Sequence, residues 1–239
     1  MADFCQTGDV ATLHRFGSHD WFRINSELEG FSRDASIGLV LPALYSEFEK
    51  PAMRRIANEL RRVRFLRHIV VALGKATYEE YQHAQSFFDG FSTPVTMLWI
   101  DSEPVQNFLN VLEQQGITAG TDGKGRSCWL SYGFLLASGN CNAIVLHDCD
   151  IKNYSSEMLA RLCYPIAHPE LDFEFCKGYY ARITDRMHGR VTRLFMAPLI
   201  RAMEGLAPEN GLLRFLESFR YPLAGEFAMK AKLARINRI

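Results

Sequence analysis

The strongest constraint on this chain is an alternation that runs from Ser36 to His147. Four short apolar runs, "SIGLVLPAL" (36–44), "RHIVVAL" (67–73), "TPVTMLWI" (93–100) and "NAIVLH" (142–147), are separated by stretches with helical periodicity. In "KPAMRRIANELRRV", Met53, Ile56, Ala57 and Leu60 fall on one helical face and the arginines elsewhere. "TYEEYQHAQSFF" (77–88) opens with a threonine suited to N-capping, and "PVQNFLNVLEQQG" begins at proline and stops at glycine. "CWLSYGFLLAS" is a further helix, leading into the fourth run. Strands alternating with helices imply parallel pairing through right-handed crossovers, hence an α/β sheet with helices on both faces. In such sheets ligands sit beyond the carboxyl ends of the strands. Two stretches fall at that edge: "LPALYSE" (41–47) after the first run and Asp148-Cys149-Asp150 after the fourth.

The second half has a different texture. "DFEFCKGYYARI" (172–183) reads as a longer strand, and "GRVTRLFMAPLIRAMEGL" (189–206) as a helix interrupted at Pro198. "GLLRFLESF" is a short helix, and "RYPLAGEFAM" a last strand-like segment containing Glu226. The expected division is an N-terminal extension (1–35), an α/β half (36–152) and a second half (153–239). Lys+Arg and Asp+Glu number 27 each, so no global field draws the chain to nucleic acid or to an anionic membrane. Any anion must be held by a local cluster. No apolar stretch approaches the roughly 18 residues of a membrane span, and the N-terminal residues lack the pattern of a signal peptide. Six cysteines, at 5, 128, 141, 149, 163 and 176, form no C-x-x-C pair. That argues against a structural zinc site or a disulfide framework, and for a cytoplasmic protein.

Several motifs could carry chemistry. Mg²⁺ and Mn²⁺ favour hard oxygen ligands and commonly use one or two carboxylates plus substrate phosphates, which Asp148 and Asp150 could supply. Aspartates also end strands simply because they favour turns. "DGKGR" (122–126) joins glycines that let a backbone approach phosphate to the point charge of Lys124, although a surface loop would read the same way. It is not a P-loop. Arg190 and Thr192 in "HGRVTR" stand at an expected helix start, where N–H groups favour anions, or at an ordinary solvated terminus. Glu226, between glycine and apolar residues, is a partly buried carboxylate or one half of an ion pair.

Taken in order, "LPALYSE", "GKG", "DCD", "KGYYARI", "GRVTRL..APLIRAM" and "YPLAGEFAM" resemble the glucosyl-3-phosphoglycerate synthases and their mannosyl relatives over residues 36–230. The resemblance implies a retaining glycosyltransferase with a GT-A fold, a Rossmann-like, mostly parallel sheet. Such an enzyme moves glucose or mannose from a nucleotide sugar to 3-phosphoglycerate. It further implies that Asp150 binds Mg²⁺ or Mn²⁺ and that Asp148 contacts the nucleotide sugar. Pro42, Ala43, Leu44, Glu47, Gly123, Lys124 and Gly125 would hold the nucleotide. Gly189, Arg190 and Thr192 would receive the acceptor, Glu226 would lie near the reacting sugar, and the assembly would be a homodimer. The chain departs from that pattern in reading "VALGKATYEE" where an aspartate and a serine against the base are expected, and in placing Ser46 before Glu47. The resemblance also leads one to expect a further C-terminal segment carrying a metal-binding histidine. Without it, a nucleotide-sugar-binding fragment is the alternative, and a D-x-D phosphohydrolase a more distant one.

Overall fold

The computed structural model describes residues 10–13, 20–139, 141–179 and 190–236. By their contacts these form two compact units, one of residues 20–176 and 225–236, the other of residues 177–224 with 10–13.

The first unit begins with α1 (Trp21–Phe31), capped by the Asp20 carboxylate, which accepts the Arg23 N–H. Then β1 (Ile37–Leu44), α2 (Tyr45–Phe48), α3 (Pro51–Leu60), β2 (Leu66–Gly74), α4 (Tyr78–Ser86), β3 (Val95–Trp99) and α5 (Glu103–Gln114) follow in turn. After α6 (Lys124–Ala137) come β4 (Ala143–Leu146), α7 (Ser156–Ala167) and β5 (Phe175–Lys177). The chain returns to this unit for β6 (Phe227–Lys230) and a last short helix over Ala231–Ile236. The sheet order is β3-β2-β1-β4-β6-β5. β1, β2, β3 and β4 pair in parallel, as the alternation requires, whereas β6 runs antiparallel to β4 with Leu146 opposite Phe227 and Ala143 opposite Lys230.

Both sheet faces are buried, which explains why the strands read as unbroken apolar runs. Leu39, Leu41, Ile69, Val71 and Val145 pack with Met53, Ile56 and Leu60 of α3 and with Leu159 and Cys163 of α7. The alternate residues Val40, Val70, Ile144 and Leu146 pack with Cys128 and Leu135 of α6. Each fully buried aliphatic side chain is worth about 1.5–3 kcal/mol relative to exposure. At Gly38 the helix comes so near that a Cβ would stand 2.8 Å from both Leu135 Cδ1 and Cys141 Sγ.

Local chemistry accounts for most boundaries. Thr77 caps α4 in a reciprocal box, its hydroxyl accepting the Glu80 N–H at 3.3 Å while the Glu80 carboxylate accepts the Thr77 N–H at 2.7 Å. Where the sequence reads as irregular through Ser127, α6 already starts at Lys124. Its N-cap, Gly123, sits at φ +150°, which lets the chain turn directly into a helix. The long strand expected at 172–183 is three residues, Phe175–Lys177, and residues 180–183 lie outside the described ones. α7 carries Pro165 inside it and had no counterpart in the reading of the sequence.

In the second unit a π-helical segment, Val191–Met196, runs into α8 (Ala197–Leu206), which packs on α9 (Gly211–Ser218). The irregularity expected at Pro198 is this widened turn, since proline offers no N–H to the turn before it. Arg201 Nε meets Glu217 Oε1 at 2.6 Å and joins the two helices, and Asn210 caps α9 through the Leu212 N–H. Among the described residues no helix is long and apolar enough to cross a membrane.

Candidate functional site

A cavity of about 360 Å³ opens at the carboxyl ends of the four parallel strands. Pro42, Ala43 and Leu44 end β1 there, with Glu47 on the following turn of helix. Gly74 and Lys75 follow β2, Ile100 and Asp101 follow β3, and Asp148, Cys149 and Asp150 follow β4. Asp122, Gly123, Lys124 and Ser127 close the wall at the start of α6.

Lys124 and Asp148 form an ion pair across this cavity, the lysine from the first residue of a 14-residue helix. Positive charge and the helix N-terminus therefore converge on one spot, a ready seat for a diphosphate. Asp150, two residues on, is exposed and free to reach outward. Cys149 between them is buried. Burial first, then the carboxylates of Asp148, Glu47 and Asp150, push its thiol far above the usual range, so it stays protonated and is no nucleophile. Glu47 accepts Lys50 Nζ at 2.9 Å through Oε1, while its buried Oε2 has no partner among the described residues. That leaves an acceptor for a donor group of a ligand.

The antiparallel pairing of β6 with β4 completes the site. Continuing its register past Leu146–Phe227 brings Gly225 opposite Asp148. A Cβ on Gly225 would stand 2.8 Å from Asp148 Cγ and 3.0 Å from Oδ1, so the absence of a side chain there is what admits the carboxylate.

The remaining expected residues are placed as follows. Gly125 lies in the first turn of α6 and does not line the cavity, and a Cβ there would meet nothing within 4 Å. Glu226 is 3% exposed and is likewise absent from the cavity wall. Arg190 and Thr192 belong to the second unit, at the start of the π-helical segment, with Thr192 Oγ1 buried and without a partner among the described residues. Gly189 lies outside the described residues. Ile100, Asp101 and Ser127 line the cavity without having been singled out, and so do Gly74 and Lys75, from the stretch noted above only as a departure from the family pattern. Their position directly after the second and third apolar runs, or in the first turn of α6, is the signal that could have found them. His147, just before the acidic pair, is fully buried, its ring nitrogens without a partner among the described residues, edge-on to Tyr154 at 5.3 Å. Burial pulls its pKa down to about 4, so it is a neutral core residue.

A parallel sheet switching to an antiparallel strand, with paired acids and a lysine at its carboxyl edge, is the GT-A glycosyltransferase fold. Solved structures share it. Glucosyl-3-phosphoglycerate synthase of Mycobacterium tuberculosis, in complex with Mn²⁺, UDP and glucosyl-3-phosphoglycerate, superposes with a TM-score of 0.60 at 23% identity over 93% of this chain and 64% of that one. The same enzyme with Mn²⁺, UDP-glucose and phosphoglyceric acid gives 0.61 at 24%. No family model matches the chain. In sequence, it is 48% identical over all 239 residues to the glucosyl-3-phosphoglycerate synthase of Persephonella marina, and 36% identical over 234 residues to that of Methanococcoides burtonii. Along its own length the chain is thus similar to the glucosyl-3-phosphoglycerate synthases. It spans 59% and 57% of the length of those two relatives.

The donor set at the cavity suits a hard divalent cation. Among the described residues no three or more His, Cys, Asp or Glu side chains gather closely enough to share a metal ion. An exposed Asp150 beside a half-buried Asp148 instead fits the Mg²⁺ or Mn²⁺ pattern of few protein carboxylates, waters and substrate phosphates.

Proposed function

We propose that this protein transfers glucose from a nucleoside-diphosphate sugar to 3-phosphoglycerate, in a reaction that depends on Mg²⁺ or Mn²⁺. The observation that carries the reading is the convergence of Lys124, Asp148 and Asp150 on one cavity at the carboxyl edge of the sheet. Pro42, Ala43 and Leu44 supply backbone and apolar contacts to the nucleoside, and the orphan oxygen of Glu47 accepts a hydroxyl of the ribose. Lys124 and the N–H groups around Gly123 and Gly125 meet the diphosphate, and Asp148 holds the sugar-nucleotide in register against Lys124. Asp150 holds the cation, which when bound neutralises charge growing on the diphosphate as it leaves. Gly189, Arg190 and Thr192 receive the carboxylate and phosphate of the acceptor, and Glu226 lies near the reacting sugar.

Transfer breaks the bond from the anomeric carbon to the diphosphate oxygen and forms one to the acceptor hydroxyl oxygen. The hydroxyl proton passes to the departing diphosphate, on the face from which it leaves, so the anomeric configuration is retained. The protein acts as a homodimer. Release of nucleoside diphosphate should require 3-phosphoglycerate and Mg²⁺ or Mn²⁺ together, and should fall at least about a hundredfold in Asp150→Ala, in line with losing a principal charge stabiliser. Equal release without the acceptor would overturn the acceptor assignment.

One observation favours a second reading, donor binding without turnover. The described residues bring no third metal-ligating side chain to the acidic pair. That reading expects metal-enhanced binding of UDP-glucose in calorimetry with no product formed.

A further inference from the structure

A second open cavity, of about 1220 Å³, shares Asp150 with the first and otherwise has a wall of its own. It runs along α3 from Pro51 to Glu59, and Lys152, on the segment after β4, completes it. The two sides are fastened together. Arg55 Nε donates to the Tyr154 carbonyl at 2.8 Å, and Glu59 Oε2 accepts the N–H and the hydroxyl of Ser156 at 2.9 and 3.1 Å. Lys50, Arg54, Arg55 and Lys152 bring four positive charges to this wall, against the two carboxylates of Glu59 and Asp150, a net charge of +2. Lys50 meets Glu47 Oε1 at 2.9 Å, whereas Arg54 and Lys152 have no hydrogen-bond or ion-pair partner among the described residues.

This charge pattern works against the helix that carries it. A helix N-terminus is its positive pole, where acids stabilise and cations do not. α4 follows that rule, with Glu79 and Glu80 in its first turn and His83 in its last. α3 breaks it: no acid stands in its first turn, its N-cap is Lys50 without a side-chain capping bond, and Arg54 and Arg55 follow one turn in. Lys50 and Arg54 are also like charges four residues apart, a further local cost. Local rules broken without an internal compensation mark functional positions, and a bound anion would supply the compensation. We infer that this cavity is a second anion site, which takes a small molecule carrying two phosphoryl groups on Arg54, Arg55 and Lys152. Arg55 spends only Nε on Tyr154, which leaves its terminal nitrogens to fork onto phosphate oxygens. The inference goes beyond the proposed function, because none of these three side chains lines the first cavity and Arg190 and Thr192 belong to the other unit.

Calorimetry in metal-free buffer tests it, with pyrophosphate and fructose 1,6-bisphosphate as probes of an inorganic and an organic source. At least one should bind. Replacing Arg54→Ala and Lys152→Ala together should weaken that binding at least about tenfold, for the loss of two charge-assisted contacts. Both side chains are exposed, so the urea midpoint of this variant should be unchanged, which separates a lost contact from a lost fold. Arg62→Ala removes an exposed cation just beyond α3 and outside the cavity, and should leave affinity within about twofold. Lys124→Ala, in the first cavity, should leave in place the binding that depends on Arg54 and Lys152. Binding of neither probe, or an equal loss in Arg62→Ala, would overturn the site. Binding weakened by Lys124→Ala but untouched by the double substitution would also overturn it, and would leave the proposed function standing.

Discussion

Gly225→Ala tests whether the first turn after β4 and the segment before β6 form one site. Gly225 is not among the residues with positive φ, so alanine brings no backbone strain of the left-handed kind. The whole cost is steric. The new methyl carbon would press hardest on Asp148 Oδ2 and would stand 2.8 Å from Cγ and 3.0 Å from Oδ1, nearer than non-bonded atoms settle, so something must shift. Either Asp148 rotates away or the start of β6 shifts outward. Forcing an extra carbon into a filled space costs about 1–3 kcal/mol. The Lys124–Asp148 ion pair is lost if the carboxylate rotates. Its side chains are 49% and 28% exposed, so this adds no more than about 1 kcal/mol to stability.

The two consequences separate experimentally. Urea denaturation of Gly225→Ala should show a loss of about 1–3 kcal/mol, by the same overpacking argument. UDP or GDP affinity in calorimetry should fall about tenfold, since misplacing Lys124 and Asp148 by one contact is worth about 1.4 kcal/mol at the diphosphate. Asp148→Ala removes the atoms that the methyl meets. In the Gly225→Ala, Asp148→Ala double variant the steric part should therefore vanish, giving a coupling of about 1–3 kcal/mol between the two positions. Strict additivity of the two stability changes, or Gly225→Ala with stability and nucleotide affinity both unchanged, would refute the steric account.

Two further outcomes are expected. His147 is buried and neutral with its pKa near 4 against 6.5 when exposed, so between those values the unfolded chain binds a proton that the folded one refuses. Its contribution is intact above pH 6.5 and is lost as pH falls toward 4, by up to about 3 kcal/mol; His147→Phe should flatten that part of a denaturation-versus-pH curve, and an unchanged slope would count against it. Gly38→Ala places a methyl 2.8 Å from Leu135 Cδ1 and Cys141 Sγ, far from the cavity residues, and should cost about 1–3 kcal/mol in urea while nucleotide affinity stays as it was.

The period of the apolar residues was enough to read β1 to β4 and the longer helices between them, though not the single turn of α2, because those strands are buried on both faces and carry no competing pattern. It also placed Asp148 and Asp150 at the ligand-binding edge, since that follows from parallel pairing alone. What escaped has identifiable causes. Gly123 and Gly125 look like loop by propensity, and only the φ of Gly123 explains how α6 can begin at Lys124 and aim its first turn at Asp148. Pro165 disguises α7, whose burial against the sheet outweighs one missing hydrogen bond. Gly225 stood in a recognised motif, yet its purpose depends on β6 being inserted antiparallel beside β4, which no local pattern announces. Lys75 and Asp101 are harder still, because each belongs to a different crossover and they meet only through the turn at Ala76. The residues proposed to meet the leaving diphosphate come as a compact acidic motif and a glycine-flanked lysine, and so can be seen in one dimension. Lys75 and Asp101 are single side chains on neighbouring strand ends, and a cavity wall assembled in that way becomes visible only when the sheet order is known.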